Sequence, residues 1–497
     1  MSWSNPVRPL IPKRLVPLFL GLLTLVTILV VSWQPVAIAN TALHYTELEF
    51  EPLGELEFPA YERYELDNGL VVYLMEDHEL PLVSGSATFR TGSRFEPADQ
   101  VGLANIMGDA MRLGGTDNIA ADQLNQALEQ RAAAIETGVD IDSGTASFNA
   151  LTEDLNSVFA LFADVIQHPA FAEDKIALLK NKYSGSIARR NDDPSDISRR
   201  EFRKLVYGAN HPYARTIEYS TLEAIDQTSI RQFYQASVRP EQTILGIVGD
   251  FDSRQIKALI EEYFSDWQGT GDALNVEDLP EVDQTNAGVF MVEQPQLTQS
   301  YIQIGHIGGQ LNDPNHASLS VLNEVLNGFG GRLFNEIRSR QGLAYVVYAF
   351  WAPRYDHPGL FIGGGQTRSP ATVPMVEAVQ AEIQQTRTTP VTIEELERAK
   401  DSVLNSFVFN FQQPSQSLDR LIRYEYYGYP QDFVFQFREE VEKTTPETVL
   451  AAAQKYLKPE QLVTLVVGNS EEIDPDLANL SENQTVNQID ISIPQAT

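Results

Sequence analysis

The sequence predicts an α+β fold made of two similar repeated domains, each an antiparallel sheet with helices packed on one face. One motif occurs twice along the chain, and within each copy the strand-like and helix-like segments are grouped rather than strictly alternating. The composition agrees with a globular protein, since 43% of the 497 residues are hydrophobic and Gly and Pro number 31 and 27.

The repeated motif fixes the length of the repeat. The tetrapeptide RPEQ at 239–242 leads into TILGIVGD, and KPEQ at 458–461 leads into LVTLVVGN, 219 residues later. Gly69 and Gly288 open two further apolar runs with the same separation. We therefore expect one domain at 55–270 and a second at 286–472. A polar linker at 271–285 joins them, and an acidic, loosely ordered tail follows at 473–497.

Apolar spacing assigns the elements of the first domain. Alternating or continuous apolar runs predict strands, and apolar residues three or four apart predict helices, as at Leu103, Met107 and Met111. The predicted strands are 70–74, 82–90 and 243–249, and the predicted helices are 101–113, 121–137, 151–166, 174–190 and 229–236. The second domain repeats this plan.

Charge and cysteine content exclude several classes of function. Lys and Arg number 36 against 68 Asp and Glu, a formal net charge of -32. Such a field repels phosphate backbones, so we expect no nucleic-acid partner, whereas basic or neutral polypeptides remain compatible ligands. The chain has no cysteine, which excludes disulfides, thiolate zinc sites and cysteine nucleophiles.

The first 39 residues are typical of an export signal. Three basic residues precede an apolar run at 15–31, and Ala37-Ile38-Ala39 provides the small-residue pattern of a cleavage site. We expect a signal peptide at 1–39 and a periplasmic or secreted protein. An uncleaved membrane anchor is the alternative, because the run is near the minimum length of a membrane span.

Several short motifs, in a fixed order, resemble the pitrilysin/insulinase family of zinc peptidases. The resemblance covers about 55–472 and implies the two-domain fold. In the first domain the motifs are GLA at 102–104, GGT at 114–116, DDP at 192–194, HPY at 211–213 and RPEQ at 239–242; in the second they are GGRLF at 330–334, EIR at 336–338 and GLAY at 342–345.

The resemblance also implies where a catalytic zinc would be bound. Active members carry His-x-x-Glu-His on the helix after Gly-Leu-Ala, with a distal Glu on a later helix. The aligned positions here are Asn105, Gly108, Asp109 and Ser186, of which Asp109 alone could coordinate a metal. None of the seven histidines lies within four residues of another, and no calcium-loop motif occurs. We expect no metal in this chain.

The second domain retains the other half of the family's site. Arg338 stands seven residues before Tyr345, and Gly330 and Gly331 form a turn ahead of the helix that carries Arg338. The resemblance implies that Arg338 and Tyr345 form the catalytic Arg/Tyr pair, which stabilises the developing oxyanion. It also implies that these two residues and the two glycines bind the substrate backbone.

The zinc ligands of the family's site are absent at the aligned positions, whereas the Arg/Tyr pair is retained. This combination indicates a non-catalytic, substrate-binding subunit. The resemblance implies a dimer with a zinc-bearing homologous peptidase subunit, a polypeptide substrate, and zinc in that partner only. Alone, the chain is expected to be inert. One alternative is a metal-free homodimeric scaffold or peptide-binding chamber, and another is an enzyme that uses Asp109 in an unorthodox site.

Overall fold

The computed structural model describes residues 56–275, 279–283, 286–328, 330–481 and 483–495. The predicted signal peptide at 1–39 lies outside these described residues, as do parts of the predicted linker. Among the described residues, no helix is long and apolar enough to cross a membrane.

The first repeat consists of six strands and eight helices within the described residues. The strands are β1 Glu62–Glu65, β2 Val71–Glu76, β3 Leu82–Phe89, β4 Ala134–Val139, β5 Gly144–Leu151 and β6 Thr243–Gly249. The helices are α1 Leu103–Leu113, α2 Ala121–Glu129, α3 Leu155–Gln167, α4 Glu173–Ala188, α5 Pro194–Tyr207, α6 Tyr219–Glu223, α7 Gln227–Ser237 and α8 Ser253–Phe264.

The second repeat has six strands and six α-helices within the described residues, together with a π-helix at Phe334–Arg340. Its strands are β7 Gly288–Glu293, β8 Gln299–Ile307, β9 Ala344–Ala352, β10 Leu360–Arg368, β11 Val463–Gly468 and β12 Val486–Gln488. Its α-helices are α9 His316–Leu326, α10 Thr372–Thr388, α11 Ile393–Phe407, α12 Pro414–Tyr427, α13 Phe433–Lys443 and α14 Pro446–Tyr456.

The two sheets have matching topology except at one edge, where β1 is antiparallel to β2 but β12 is parallel to β7. The strand order is β1-β2-β6-β3-β5-β4 in the first and β12-β7-β11-β8-β10-β9 in the second. Pairing is antiparallel except for β2 with β6, β7 with β11 and β7 with β12. The predicted fold class, α+β with two similar domains, is confirmed. The edge strands β4 and β9 occupy corresponding positions.

Each sheet buries one face against helices of its own repeat. In the first repeat, Phe159 and Phe162 of α3 and Met107 of α1 pack with the sheet in one continuous apolar core. In the second, Leu322 of α9 and Val376 of α10 belong to the corresponding core. These residues are fully or almost fully buried. Burial of this kind is the main stabilising contribution to such a layer.

The opposite face of each sheet is covered by a helix from the other repeat. Helix α5 of the first repeat packs on β8 and β11, where Ile197 and Phe202 join the apolar side chains of those strands. Helix α12 of the second repeat packs on β2 and β6 through Leu421 and Ile422. A Cβ at Gly246 of β6 would lie 2.3 Å from Ile422 Cδ1, so glycine permits this approach. The exchange joins both repeats in one compact unit, Glu57–Thr497.

Two expectations drawn from the sequence are wrong. The helix predicted at 121–137 ends at Glu129, and Ala134–Val139 is instead the edge strand β4, whose Ile135 side chain is buried in the core. The tail expected to be loose contributes β12, which pairs with β7. Ile473 and Leu477 of the same tail are buried. Both regions take their structure from a neighbouring strand, which local composition does not show.

Candidate functional site

Helix α1 carries the three positions that align with the zinc motif. Its first turn has no side-chain cap, and instead the buried Glu96 carboxylate accepts hydrogen bonds from the Gly102 and Ala104 amides, both at 3.0 Å. Asn105 and Asp109 are one turn apart and therefore share a face of the helix. The Asn105 side-chain amide donates to the Val139 carbonyl at 2.8 Å, which ties the helix to strand β4.

Gly108 is required by the same close contact between α1 and β4. A Cβ at this position would lie 2.6 Å from the Val139 amide nitrogen and 2.8 Å from the Gly138 carbonyl carbon, distances that real Cβ atoms do not reach. The Thr137 hydroxyl donates to the Gly108 carbonyl at 2.6 Å. The glycine therefore has a packing role, because it permits the close approach of the helix to the edge strand.

Asp109 faces α4 and is already paired there. Its carboxylate lies 3.2 Å from the Lys182 ammonium and accepts a hydrogen bond from the Tyr183 hydroxyl at 3.2 Å. Burial and the neighbouring Asp109 raise the pKa of Tyr183. The Ser186 hydroxyl donates to the Lys182 carbonyl within the helix. The negative charge of Asp109, which would be needed to bind a metal ion, is thus balanced by the Lys182 ammonium.

These residues do not fit a catalytic zinc ion. A catalytic zinc site has three protein ligands, usually imidazole, thiolate or carboxylate groups. Here one carboxylate is paired with a cation, one amide is bonded to the backbone, one hydroxyl is bonded within its own helix and one position has no side chain. No catalytic step can be derived through a metal at this place.

One other group of potential metal ligands occurs among the described residues: Asp142, Asp356 and His357, whose ligand atoms lie within 4.8 Å of one another. The buried Arg94 guanidinium lies 2.6 Å from Asp356 and 3.6 Å from Asp142. His357 stacks on Tyr213 at 3.7 Å. The arginine supplies positive charge in this group and links the two repeats. These side chains therefore do not by themselves indicate a bound metal.

In the second repeat, Gly330 and Gly331 form the turn before the helix that carries Arg338. Gly330 has a left-handed φ of 92°, and a Cβ at Gly331 would lie 1.9 Å from the Asn327 carbonyl oxygen. This tight turn explains both glycines structurally. Their predicted contact with a substrate backbone stays a prediction.

The start of that helix is anchored by an ion pair. The Arg332 guanidinium donates to both carboxylate oxygens of Glu395 at 2.7 and 2.9 Å. The hydrogen bonds from Arg332 hold the pKa of Glu395 at about 2, far below its usual value. Glu395 also accepts a hydrogen bond from the Thr392 amide at the N-terminus of α11. The segment that precedes Arg338 is therefore fixed to a neighbouring helix.

Arg338 and Tyr345 are brought together by the π-helix and the turn that follows it. Gly342 adopts a left-handed φ of 62°, and the Leu343 amide donates back to the Ile337 carbonyl at 3.0 Å. The chain thus reverses into β9. The Arg338 guanidinium carbon lies 4.6 Å from the Tyr345 ring centroid and 4.9 Å from that of Phe334. The pair predicted from the sequence is in contact.

This pair is accessible and keeps its hydrogen-bonding capacity. Tyr345 is 76% exposed. Within the part of the chain that the structure describes, no carboxylate forms an ion pair with Arg338, whereas Arg340 two residues later is paired with Glu336. Stacking on aromatic rings orients a guanidinium and leaves its N–H donors free. Phe334 was missed from the sequence, although its spacing of four residues before Arg338 places it on the same face of a helix.

These features define a class of protein: a two-repeat fold of the metallopeptidase type, with an exposed Arg/Tyr pair in one repeat and no zinc ligand set in the other. Two family models match the chain, "Insulinase (Peptidase family M16)" at residues 71–219 and "Peptidase M16 inactive domain" at residues 224–403. The chain belongs to peptidase family M16, the insulinase family.

Relatives of this chain have been described as zinc proteases. An uncharacterized zinc protease from Bacillus subtilis is 24% identical over 361 residues, which cover 72% of this chain and 86% of that protein. Another uncharacterized zinc protease, from Streptomyces coelicolor, is 23% identical and covers 81% of this chain and 89% of its own length.

Solved structures share the fold. A peptidase M16 inactive domain from Pseudomonas fluorescens superposes with a TM-score of 0.75 at 24% identity, covering 82% of this chain and 98% of its own. The periplasmic protease PqqL from Escherichia coli has a TM-score of 0.70 at 15% identity and covers 87% of this chain and 49% of its own. About half of the PqqL chain therefore lies outside the match.

Proposed function

We propose that this chain is the non-catalytic, substrate-binding subunit of a heterodimeric zinc peptidase of the insulinase family. It would supply Arg338 and Tyr345 in trans to a zinc-bearing homologous partner. The observation that carries the proposal is the contrast between the two repeats. The zinc-aligned positions are engaged by intrachain contacts, whereas Arg338 and the 76% exposed Tyr345 are stacked together and accessible.

The two side chains suit a role as fixed hydrogen-bond donors. The Arg338 guanidinium offers several N–H groups in one plane, and the Tyr345 hydroxyl offers a further donor. Pointed at a scissile carbonyl, they would bind the carbonyl oxygen and stabilise the negative charge that develops on it during attack. The metal chemistry belongs to the partner, and this chain's part is to hold the substrate backbone and its oxyanion.

Isolation of the chain with its partner tests the proposal directly. The tagged full-length chain is purified from its native source, and bound proteins are identified by mass spectrometry. We expect a homologue of similar length that carries His-x-x-Glu-His, and peptidase activity only when both chains are present. Recovery of a homodimer, with no such partner and no gain of activity on adding one, would overturn the proposal.

The alternative, a metal-free homodimeric scaffold or peptide-binding chamber, has one observation in its favour. The edge strand β9 exposes Tyr345, Val346 and Phe350 by 76%, 44% and 41%. Exposed apolar side chains on the edge strand of a sheet favour association with another chain, and a second copy would cover them. Sedimentation of the purified chain alone separates the two ideas, because a stable homodimer is required by the scaffold and not by the heterodimer.

The proposed location is the periplasm or the extracellular space. The N-terminal segment supports export, and the structurally similar PqqL of Escherichia coli is a periplasmic protease. We expect the mature protein to begin near Asn40 and to be recovered from the soluble extracytoplasmic fraction. N-terminal sequencing decides this, since an intact Met1 in a membrane pellet would identify an anchor.

A further inference from the structure

A cavity lies where helix α5 of the first repeat meets the β9–β10 hairpin of the second. Its volume is about 470 Å³, within the range of small-molecule sites. Aromatic walls are formed by Phe202, Tyr207 and Tyr213. We call it the junction cavity. None of the residues assigned above to the peptidase role lines it.

Three arginines line the junction cavity. Arg199 and Arg203 are four residues apart on one face of α5, and Arg354 comes from the opposite hairpin. Burial, together with the charges of Arg354 and Arg199, lowers the pKa of Arg203, so the three cations act on one another. Placing like charges together costs free energy unless an anion offsets it.

Among the described residues, one of these three arginines forms an ion pair. Arg199 is paired with Asp196. In the described part of the chain, no carboxylate forms an ion pair with Arg203 or Arg354. Two carboxylates, Asp140 and Asp142, line the other wall. Burial raises the pKa of Asp142, and Arg94 already lies 3.6 Å from it. Arg199, Arg203 and Arg354 are all exposed to solvent, so a dissolved anion can reach them.

A second cavity lies beside α12, the helix exchanged in the opposite direction. It is bounded by α12 and the β4–β5 hairpin, has a volume of about 460 Å³ and is lined by Arg354 and Arg423 together with Asp140, Asp142 and Asp419. Arginine therefore occurs at both junctions between the repeats, and Arg354, Asp140 and Asp142 belong to both cavities. The two α5 arginines, Arg199 and Arg203, distinguish the junction cavity.

We propose that the junction cavity binds a small anionic molecule, whose phosphate or carboxylate group is held between Arg203 and Arg354. Guanidinium groups form paired, charge-assisted hydrogen bonds with both kinds of oxyanion. The aromatic walls would cover the apolar part of the molecule, and Asp140 would accept hydrogen bonds from its hydroxyl or amine groups. The site needs no metal and does not depend on the proposed peptidase role.

Titration of the full-length chain with pyrophosphate, citrate and inorganic phosphate tests this site. Calorimetry and thermal unfolding should show saturable binding of pyrophosphate or citrate, and the preference between them identifies phosphate or carboxylate as the group recognised. Arg203→Ala and Arg354→Ala should each weaken binding by about 10- to 100-fold, the usual cost of losing hydrogen bonds to a charged group. Arg203→Lys should recover part of the affinity through charge alone.

The control variant is Arg340→Ala, which removes an exposed arginine outside the cavity and should leave binding unchanged. If Arg203→Ala fails to fold, Arg354→Ala on the opposite wall decides the outcome. The proposal is overturned if none of the three anions binds saturably at millimolar concentration. It is equally overturned if binding persists unchanged in both arginine-to-alanine variants.

Discussion

The two repeats of this protein have corresponding strand orders, but the polar side chains at their aligned sites differ in how far they are engaged by contacts within the chain. In the first, Asn105 and Asp109 are engaged by Val139, Lys182 and Tyr183. In the second, the Arg338 guanidinium stacks on the rings of Phe334 and Tyr345, and Tyr345 is largely exposed. A side chain already bonded within its own chain has little capacity left for a ligand. The comparison therefore supports the proposal that Arg338 and Tyr345, rather than the zinc-aligned residues, contact the substrate.

The largest expected effect concerns the second repeat. In the complex with a zinc-bearing partner, Arg338→Ala or Tyr345→Phe should lower turnover by about 10² to 10³, or about 2.7 to 4 kcal/mol, as for the loss of one oxyanion donor. Assembly and the partner's zinc content should be unchanged. Peptidase assays with short and long peptides measure this, because an oxyanion donor affects both, whereas a residue that only grips long chains mainly raises their KM.

Arg340→Ala is the matched control for that experiment. Arg340 is two residues away, exposed and paired with Glu336, so its loss should change activity by no more than about threefold, as is usual for an exposed ion pair. Equal effects of Arg338→Ala and Arg340→Ala, or dissociation of the complex by Arg338→Ala, would remove the functional distinction between the repeats.

The second prediction uses pH. Burial raises the pKa of Glu96 at the start of α1 to about 7, whereas hydrogen bonds from Arg332 lower that of Glu395 to about 2. Because the pKa of Glu96 is raised in the folded protein, its contribution to the free energy of unfolding is present at low pH and is lost as pH rises through about 7. Because the pKa of Glu395 is lowered, its contribution is present above the pKa that this group has in the unfolded chain, and it is lost as pH falls towards 2. The contributions of Glu96 and Glu395 to the free energy of unfolding therefore change with pH in opposite directions.

Urea unfolding of Glu96→Gln and Glu395→Gln at several pH values measures this difference. Relative to wild type, Glu96→Gln should gain about 2 kcal/mol between pH 5 and 8, because the wild-type carboxyl loses stability over that window. Glu395→Gln should show a constant deficit there, which shrinks only below the unfolded pKa. Parallel pH profiles for wild type and Glu96→Gln would show that this carboxyl does not titrate as argued.

The third prediction concerns packing in the first repeat. Gly108→Ala should lower the free energy of unfolding by about 1 to 3 kcal/mol, since its Cβ would overlap the backbone of β4. Gly185→Ala on α4 is the matched control. The only atom near its Cβ is the tip of Arg189 at 3.9 Å, so the substitution should stabilise the helix by about 0.5 to 1 kcal/mol. Similar effects at both positions would contradict the close fit of α1 against β4.

The sequence predicted much of this architecture because most elements carry their own signals. The offset between the repeats, the helical spacing in α1 and the apolar run of β6 are all local. Helix α5 was not assigned, although Asp193 caps it by accepting hydrogen bonds from the Ser195 and Asp196 amides and Pro194 occupies its first turn. Such a cap followed by proline is a recognisable start signal.

Other features could not be predicted because they depend on distant partners. The exchange of α5 and α12 is decided by which sheet face each helix covers, and the apolar face of a helix does not identify its partner. Lys182 as the partner of Asp109 depends in the same way on how α1 and α4 pack. The Arg/Tyr pair was predicted from the resemblance to the family, and the structure adds Phe334 as a second ring in contact with Arg338.

The smallest expected effect is at the aligned zinc positions. The purified chain should retain no stoichiometric zinc after dialysis, because Asn105, Gly108, Asp109 and Ser186 provide at most one competent ligand where three are needed. Lys182→Met removes the competing cation but adds no ligand, so it should still bind no zinc. Because the pair is partly exposed, this variant should change the free energy of unfolding by less than about 1 kcal/mol.

The triple substitution Asn105→His, Asp109→His and Ser186→Glu supplies three ligands and is the positive control for metal analysis. If the unmodified chain instead held one equivalent of zinc that Asp109→Ala abolished, the first repeat would be a metal site after all, and the contrast between the two repeats would fail.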